Sequence, residues 1–122
     1  MTVTKINADL NPTEDPDKVV NAITKIFGEV ELEISDDYIS GELVGLMPLS
    51  TFRSRIASDK IKSTLGNFFR RWNADYMLSF GLNRQAAHAG HVSINLQNED
   101  PMGPIQVTID GDIDEVITFL TE

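Results

Sequence analysis

The stretch 68–72 reads Phe-Phe-Arg-Arg-Trp and interleaves two side-chain types that proteins use to bind nucleic acids. Guanidinium groups bind phosphates, and aromatic rings stack on bases. The aromatic residues also continue an apolar stripe that begins at Ile61 and has the spacing of a buried helix face. This stripe predicts that the aromatic rings are core residues and leaves Arg70 and Arg71 for the surface.

The charge distribution places further basic residues near this stretch. The formal net charge is −9, which by itself argues against non-specific binding to nucleic acids. Seven of the ten basic residues nevertheless lie within 52–91, where two acidic residues oppose them, so this segment carries +5. A solvated helix face explains the pattern equally well, whereas an RNA surface would use these candidates: Lys60, Lys62, Arg70, Arg71, Arg84 and Gln85.

No residue pattern typical of catalysis or of metal binding is visible in the sequence. The chain has no cysteine, which excludes disulfides and thiolate metal sites. Nucleotide-binding glycine motifs and nucleophile elbows are also missing from the sequence. His88 and His91 lack an acidic residue close by in the sequence and predict a polar turn better than a metal site. We therefore predict a protein without a cofactor or metal ion that is not an enzyme, and an enzyme without a recognisable motif is the less favoured alternative.

The elements that position these residues follow from hydrophobic periodicity and helix-capping signals. Asp15 and Pro16 predict a helix start, and Gly28 predicts its end. The apolar stripe of a second helical segment changes phase near 57–59, so we expect a break there and a different orientation for Arg53 and Arg55. Six strands are predicted over 2–10, 30–34, 38–46, 76–83, 91–97 and near 105–109. Helices are predicted over 16–27, 51–72 with its break, and 113–120, the second capped by Ser50 and the last by a capping box of Asp112 with Glu115.

The element order β-α-β-β-α(α)-β-β-β-α predicts a single α+β domain over residues 1–122. Strands joined by hairpins favour a mostly antiparallel sheet, with the helices packed on its one apolar face. No apolar run reaches the length of a membrane span, and the first ten residues lack the apolar core of a signal peptide. We therefore expect a cytoplasmic protein without membrane contact.

Three segments resemble an archaeal family of small uncharacterised proteins. They are Asn-Pro-Thr-Glu-Asp-Pro at 11–16, Phe-Gly-Leu-Asn-Arg-Gln-Ala-Ala at 80–87, and Gly-Pro-Ile-Gln-Val at 103–107. That family is described as a predicted RNA-binding domain and sometimes as a predicted exosome subunit. The resemblance covers nearly the whole chain and implies a fold similar to the ribosomal protein L-five-like class, with RNA as a partner and no catalytic residues.

Two hypotheses follow. The first is that the protein binds structured RNA through phosphate contacts from the basic segment. The acidic residues of the rest of the chain would repel RNA and confine it to one face. The second is a non-catalytic interaction module, either a homodimer or an adaptor in an RNA-processing complex.

Overall fold

The computed structural model describes residues 2–72, 74, 76–94 and 103–122. Its strands are β1 (Val3–Asp9), β2 (Leu32–Ile34), β3 (Tyr38–Val44), β4 (Met77–Leu82) and β5 (Ile105–Asp110). Its α-helices are α1 (Pro16–Phe27), α2 (Ser50–Ser58), α3 (Lys62–Trp72), α4 (Arg84–His88) and α5 (Ile113–Thr121). The prediction of an α+β fold is confirmed. None of the helices in these ranges is long and apolar enough to cross a membrane.

The five strands form one sheet in the order β2-β3-β1-β5-β4, and every neighbouring pair is antiparallel. The central strand β1 alternates strictly, with Thr4, Ile6 and Ala8 buried and the residues between them exposed. Ile6 lies opposite Gly41 on one side and Val107 on the other, so the buried residues of neighbouring strands share one face. One face of the sheet therefore carries the core beneath the helices, and the other face is open and mostly polar.

Capping residues define both ends of α1 as the sequence predicts. The Asp15 side chain accepts a hydrogen bond from the Asp17 backbone N–H at 3.0 Å. Gly28 ends α1 with a φ of 79°, a conformation that residues with a Cβ rarely adopt. The predicted break in the second helical segment is also confirmed, because α2 ends at Ser58 and α3 begins at Lys62.

Two details of the sequence prediction are wrong. Ser50 does not cap α2 through its side chain, because a 3-10 turn over Met47–Leu49 runs directly into the helix and the Ser50 hydroxyl donates to the Met47 carbonyl. The predicted strand 91–97 is reduced, within residues 91–94, to one isolated bridge between Ile94 and Leu82. The rest of that strand, and the loop up to residue 102, lie outside the described residues.

The predicted capping box of Asp112 and Glu115 has two hydrogen bonds, and the structure contains the one that the Asp112 side chain accepts. Removing the Asp112 side chain tests this bond. The Asp112 carboxylate accepts from the Glu115 backbone N–H at 3.1 Å. We expect Asp112→Ala to lower the free energy of unfolding by about 1 kcal/mol, because one N–H of the first helical turn loses its partner. Thermal unfolding followed by circular dichroism measures this loss. Asp114→Ala removes the same charge without removing this bond, so an equal loss in both variants would contradict the capping role.

Candidate nucleic-acid interface

Helices α2 and α3 carry a concentration of positive charge. Residues 50–72 contain a single acidic residue, Asp59, against six basic residues. We call these six the cationic surface: Arg53, Arg55, Lys60, Lys62, Arg70 and Arg71. By contrast, residues 29–44 contain six acids and no lysine or arginine, and they include the edge strand β2. Positive charge therefore lies on α2 and α3, whereas six of the 19 acidic residues lie at or near one edge of the sheet.

Two members of the cationic surface meet at the end of α5. The Arg53 guanidinium donates to the main-chain oxygen of Glu122 at 3.2 Å, and the Lys62 ammonium donates to the same oxygen at 3.4 Å. Arg53 also lies over the Phe119 ring, 5.2 Å from its centroid. Carbonyls at the C-terminal end of a helix carry partial negative charge, which favours cations there. The end of α5 thus holds two basic side chains close together.

Arg55 lies on the opposite flank of α2. Its Nε donates to the Lys25 carbonyl at 2.8 Å, at the end of α1. The Lys25 ammonium in turn donates to the His88 carbonyl at 2.6 Å, at the end of α4. Lys25 therefore lies beside the Arg55 flank of the cationic surface, although it belongs to α1 and is distant from residues 52–91 in the chain. As a result, α2 has basic side chains on both flanks.

The turn between α2 and α3 contains Asp59, the single acid of this surface. Its carboxylate accepts from the Val92 backbone N–H at 2.8 Å and lies 2.9 Å from Nδ1 of His91. Burial opposes its ionisation, but the bonds from Val92 and His91 outweigh burial and lower the pKa of Asp59. The Asp59 charge is thus directed towards the 91–92 segment. The next residue, Lys60, is exposed in a left-handed conformation with a φ of 58°.

Arg70 and Arg71 point to different sides of α3. A Cβ added at Gly66 would lie 3.2 Å from Nη1 of Arg70 and 3.4 Å from Oγ1 of Thr121, so Arg70 lies on the side facing α5. Arg71 instead lines a shallow hollow on another side of the helix, together with Asn67. Consecutive helical residues are about 100° apart, which accounts for the divergence. The guanidinium groups of Arg70 and Arg71 therefore do not lie together on one side of α3.

Trp72 departs from the prediction that it is a core residue. Its side chain is 56% exposed, whereas Phe69 is fully buried. The Phe68 ring is half-buried and stacks on Trp72, with centroids 4.8 Å apart and planes inclined by 16°. The periodic stripe extends to the last residue of α3, but the core does not extend that far. An exposed indole therefore adjoins the cationic surface.

Arg84 is buried, which removes it from any exposed surface. Its side chain is 2% exposed, and Nη1 lies 2.8 Å from both carboxylate oxygens of Glu14. Its Nε donates to the Gly103 carbonyl at 3.1 Å. Gln85 is exposed in the first turn of α4, and the side chain that caps this turn belongs to Asn83, which accepts from the Ala86 N–H at 2.9 Å. Arg84 thus joins α4 to the start of α1.

The described ranges contain no group of three or more histidine and acidic side chains placed to hold a metal ion. The His91–Asp59 pair is accounted for by its bonds within the fold. What these residues can do chemically is therefore attract and hold an anion. Polyanions that follow a curved surface, such as nucleic acids, match cations spread over several helices.

Comparisons with known proteins show which family this chain resembles. A model of a protein family described as RNA binding matches residues 4–110. A UPF0201 protein from Methanosarcina acetivorans is 33% identical, covering 97% of this chain and 80% of its own length. One from Sulfurisphaera tokodaii is 30% identical, covering 99% and 88%. The crystal structure of a UPF0201 protein from Methanococcus jannaschii has a TM-score of 0.86 at 26% identity, covering 98% of this chain and 99% of that one.

Proposed function

This chain belongs to the archaeal UPF0201 family, and on that premise we propose that it binds RNA by contacting phosphates through its cationic surface. The RNA-binding description of the matching family model supports RNA as the partner. The observation that carries the phosphate contacts is the arrangement of basic side chains on both flanks of α2, from Arg53 and Lys62 on one side to Arg55 and Lys25 on the other.

The outward face of α2 suits the approach of a sugar-phosphate backbone. Ser54, Ala57 and Ser58 are exposed there, three and four residues apart on one side of the helix. All three side chains are small, so a backbone can lie close to the helix without meeting a bulky group. The cations on either side would then lie within reach of phosphates on both edges of such a contact.

The rest of the charge supports a defined orientation. The acids of residues 29–44 would repel RNA from the β2 edge of the sheet. Asp59 is the single acid of residues 50–72, and its carboxylate is directed towards Val92 and His91. The proposed RNA contacts therefore lie on α2 and α3, where basic residues outnumber acids despite the net charge of −9.

Neutralising two lysines of the cationic surface tests this proposal. We expect Lys60→Gln/Lys62→Gln to weaken binding of a fluorescein-labelled RNA hairpin by about tenfold or more at 0.1 M salt. The plot of log affinity against log salt concentration should become less steep by about 1.4 to 1.8, because two phosphate contacts are lost. Fluorescence anisotropy titrations between about 50 and 200 mM salt measure both quantities.

Lys5→Gln/Lys18→Gln is the matched control for this test. It changes the net charge equally, and both residues are exposed and lie outside the cationic surface, on β1 and α1. The control should retain nearly the affinity and salt dependence of the unmodified protein. Equal effects in the two double variants would show that only net charge matters, and no binding of the unmodified protein at low salt would refute RNA binding.

A protein-interaction module is the second candidate, and one observation favours it. Val44, Val3 and Met77 fall in a single row across the open face of the sheet, separated only by Asp110. Val44 and Met77 are 50% and 45% exposed, so the row offers apolar area that another protein could cover. A homodimer, or an adaptor within an RNA-processing complex such as the exosome, would bury this row.

Two experiments test this second candidate. For a homodimer, light scattering should show a dimer that Val44→Lys dissociates, and for an adaptor, native purification should recover RNA-processing proteins. Neither result would occur for a monomeric protein that binds only RNA.

A further inference from the structure

We propose that Trp72 is a stacking platform for one unpaired RNA base, with Arg71 placed to contact an adjacent phosphate. This inference rests on the proposed RNA binding and adds a contact from Trp72, which is not part of the cationic surface. It also specifies the form of RNA at this position, because a base within a duplex does not offer its face for stacking. The ligand is therefore a single-stranded segment or a loop.

The first argument is the geometry of the aromatic pair. Trp72 is 56% exposed, and its ring stacks on Phe68 at a centroid distance of 4.8 Å. Phe68 packs against the core and contacts Phe69 edge-on at 6.3 Å. The exposed indole is thus supported from below by rings that are themselves anchored. A rigid aromatic surface loses little conformational entropy when a base stacks on it, and base–aromatic stacking tolerates any base.

The second argument is the hollow beside this pair. Thr64, Asn67, Phe68 and Arg71 line it, with a volume of about 300 Å³. These residues repeat with helical spacing, so they form one continuous side of α3. The hydroxyl of Thr64 and the amide of Asn67 are donors and acceptors suited to base edges, and the Arg71 guanidinium suits a phosphate. One side of a single helix therefore offers an aromatic face, polar groups and a positive charge together.

The third argument is charge complementarity, which favours a nucleotide over an apolar or basic protein segment. Helix α3 contains Lys62, Arg70 and Arg71 and no acidic residue. A ligand that is planar, polar at its edges and negatively charged satisfies all of these features. A nucleotide unit of single-stranded RNA has this combination of properties.

The intrinsic fluorescence of Trp72 tests the inference directly, because the chain contains one tryptophan. We expect a single-stranded oligouridylate of about eight nucleotides, within the range of known single-strand site sizes, to quench this fluorescence in a saturable manner. Anisotropy with the same labelled oligonucleotide should show that Trp72→Leu weakens binding about tenfold. Trp72→Phe should restore much of the affinity, because a phenyl ring still stacks.

Tyr76→Leu is the matched control, since Tyr76 is also an exposed aromatic residue but lies outside α3. It should leave the affinity for the oligouridylate unchanged. Arg71→Gln should weaken binding while the remaining complex still quenches Trp72, which provides a second test if Trp72→Leu fails to fold.

The possible failures are distinguishable. If anisotropy shows binding of the oligouridylate but the fluorescence does not change and Trp72→Leu binds normally, the stacking site is wrong and RNA binding through phosphates stands. If neither the oligouridylate nor the hairpin binds, the proposed function itself fails. If the fluorescence instead depends on protein concentration without RNA, this surface mediates self-association, which also overturns the stacking site.

Discussion

Replacing Arg84 by methionine is expected to lower the free energy of unfolding by about 3–5 kcal/mol, because the substitution leaves a largely buried carboxylate without its partner. The Glu14 side chain is 10% exposed, and both of its oxygens lie 2.8 Å from Nη1 of Arg84. The same substitution also removes the hydrogen bond from Arg84 to the Gly103 carbonyl. Urea unfolding at neutral pH, followed by circular dichroism, measures the loss.

A double-mutant cycle separates the ion pair from the packing of the two side chains. Glu14→Gln keeps the size of the side chain and removes its charge. Each single variant leaves one charged side chain buried without its partner, whereas the double variant Glu14→Gln/Arg84→Met removes both charges. The double variant should therefore lose less stability than the sum of the two single variants. Strict additivity would show that the pair contributes only through its packing.

The pH dependence of stability provides a further readout of the same pair. Burial raises the pKa of Glu14, but hydrogen bonds and charge from Arg84, with bonds from Asn11, outweigh burial and place that pKa below its ordinary value of 4.5. The unfolded chain therefore binds a proton at Glu14 at a higher pH than the folded protein does. The contribution of Glu14 to stability is accordingly present above pH 4.5 and is lost as the pH falls through the folded-state pKa. Glu14→Gln should lose less stability than the unmodified protein over this acid range.

The Glu14–Arg84 pair joins two of the segments that resemble the family. Glu14 belongs to the segment 11–16, and Arg84 belongs to the segment 80–87. The two residues are 70 positions apart in the chain and in direct contact in the fold. Asn11 also bonds Glu14, through its backbone N–H at 3.3 Å. This contact connects the two segments within the fold, whereas the proposed RNA contacts come from residues of α2 and α3.

Phe80→Ala is expected to have a comparable effect, with a loss of about 3–5 kcal/mol in the free energy of unfolding. Phe80 is 4% exposed on β4 and contacts two rings of the helical layer. Its centroid lies 6.1 Å from that of Phe52 on α2 and 5.0 Å from that of Phe69 on α3. The truncation would leave a cavity between the sheet and both helices of the cationic surface. Urea unfolding at neutral pH measures this loss.

Phe80→Leu is the informative partner of this variant. It keeps much of the apolar volume, so it should cost clearly less than Phe80→Ala. Because α2 and α3 rest on this ring, the leucine variant also allows RNA affinity to be measured on a folded protein with a perturbed helical layer. Equal losses for leucine and alanine would indicate a role for the aromatic ring itself, and a negligible loss for alanine would contradict the proposed position of Phe80 in the core.

The sequence by itself determined the features that depend on neighbouring residues. Period-two alternation located β1, β4 and β5, and capping residues such as Asp15 and Gly28 located the ends of α1. The change of phase near Ser58 predicted the break between α2 and α3. These features follow from the geometry of single elements, in which side-chain direction repeats every two or every 3.6 residues.

Only the tertiary structure decided which candidates share a surface. Arginine is usually a surface residue, but Arg84 is buried because it forms an ion pair with Glu14, 70 positions away in the chain. Trp72 continues an apolar stripe, yet the core ends before it, and Lys25 reaches the cationic surface from a different helix. Periodicity shows which side of a helix is apolar. It does not show how far the neighbouring elements cover that side, because burial and ion pairing depend on residues distant in the chain.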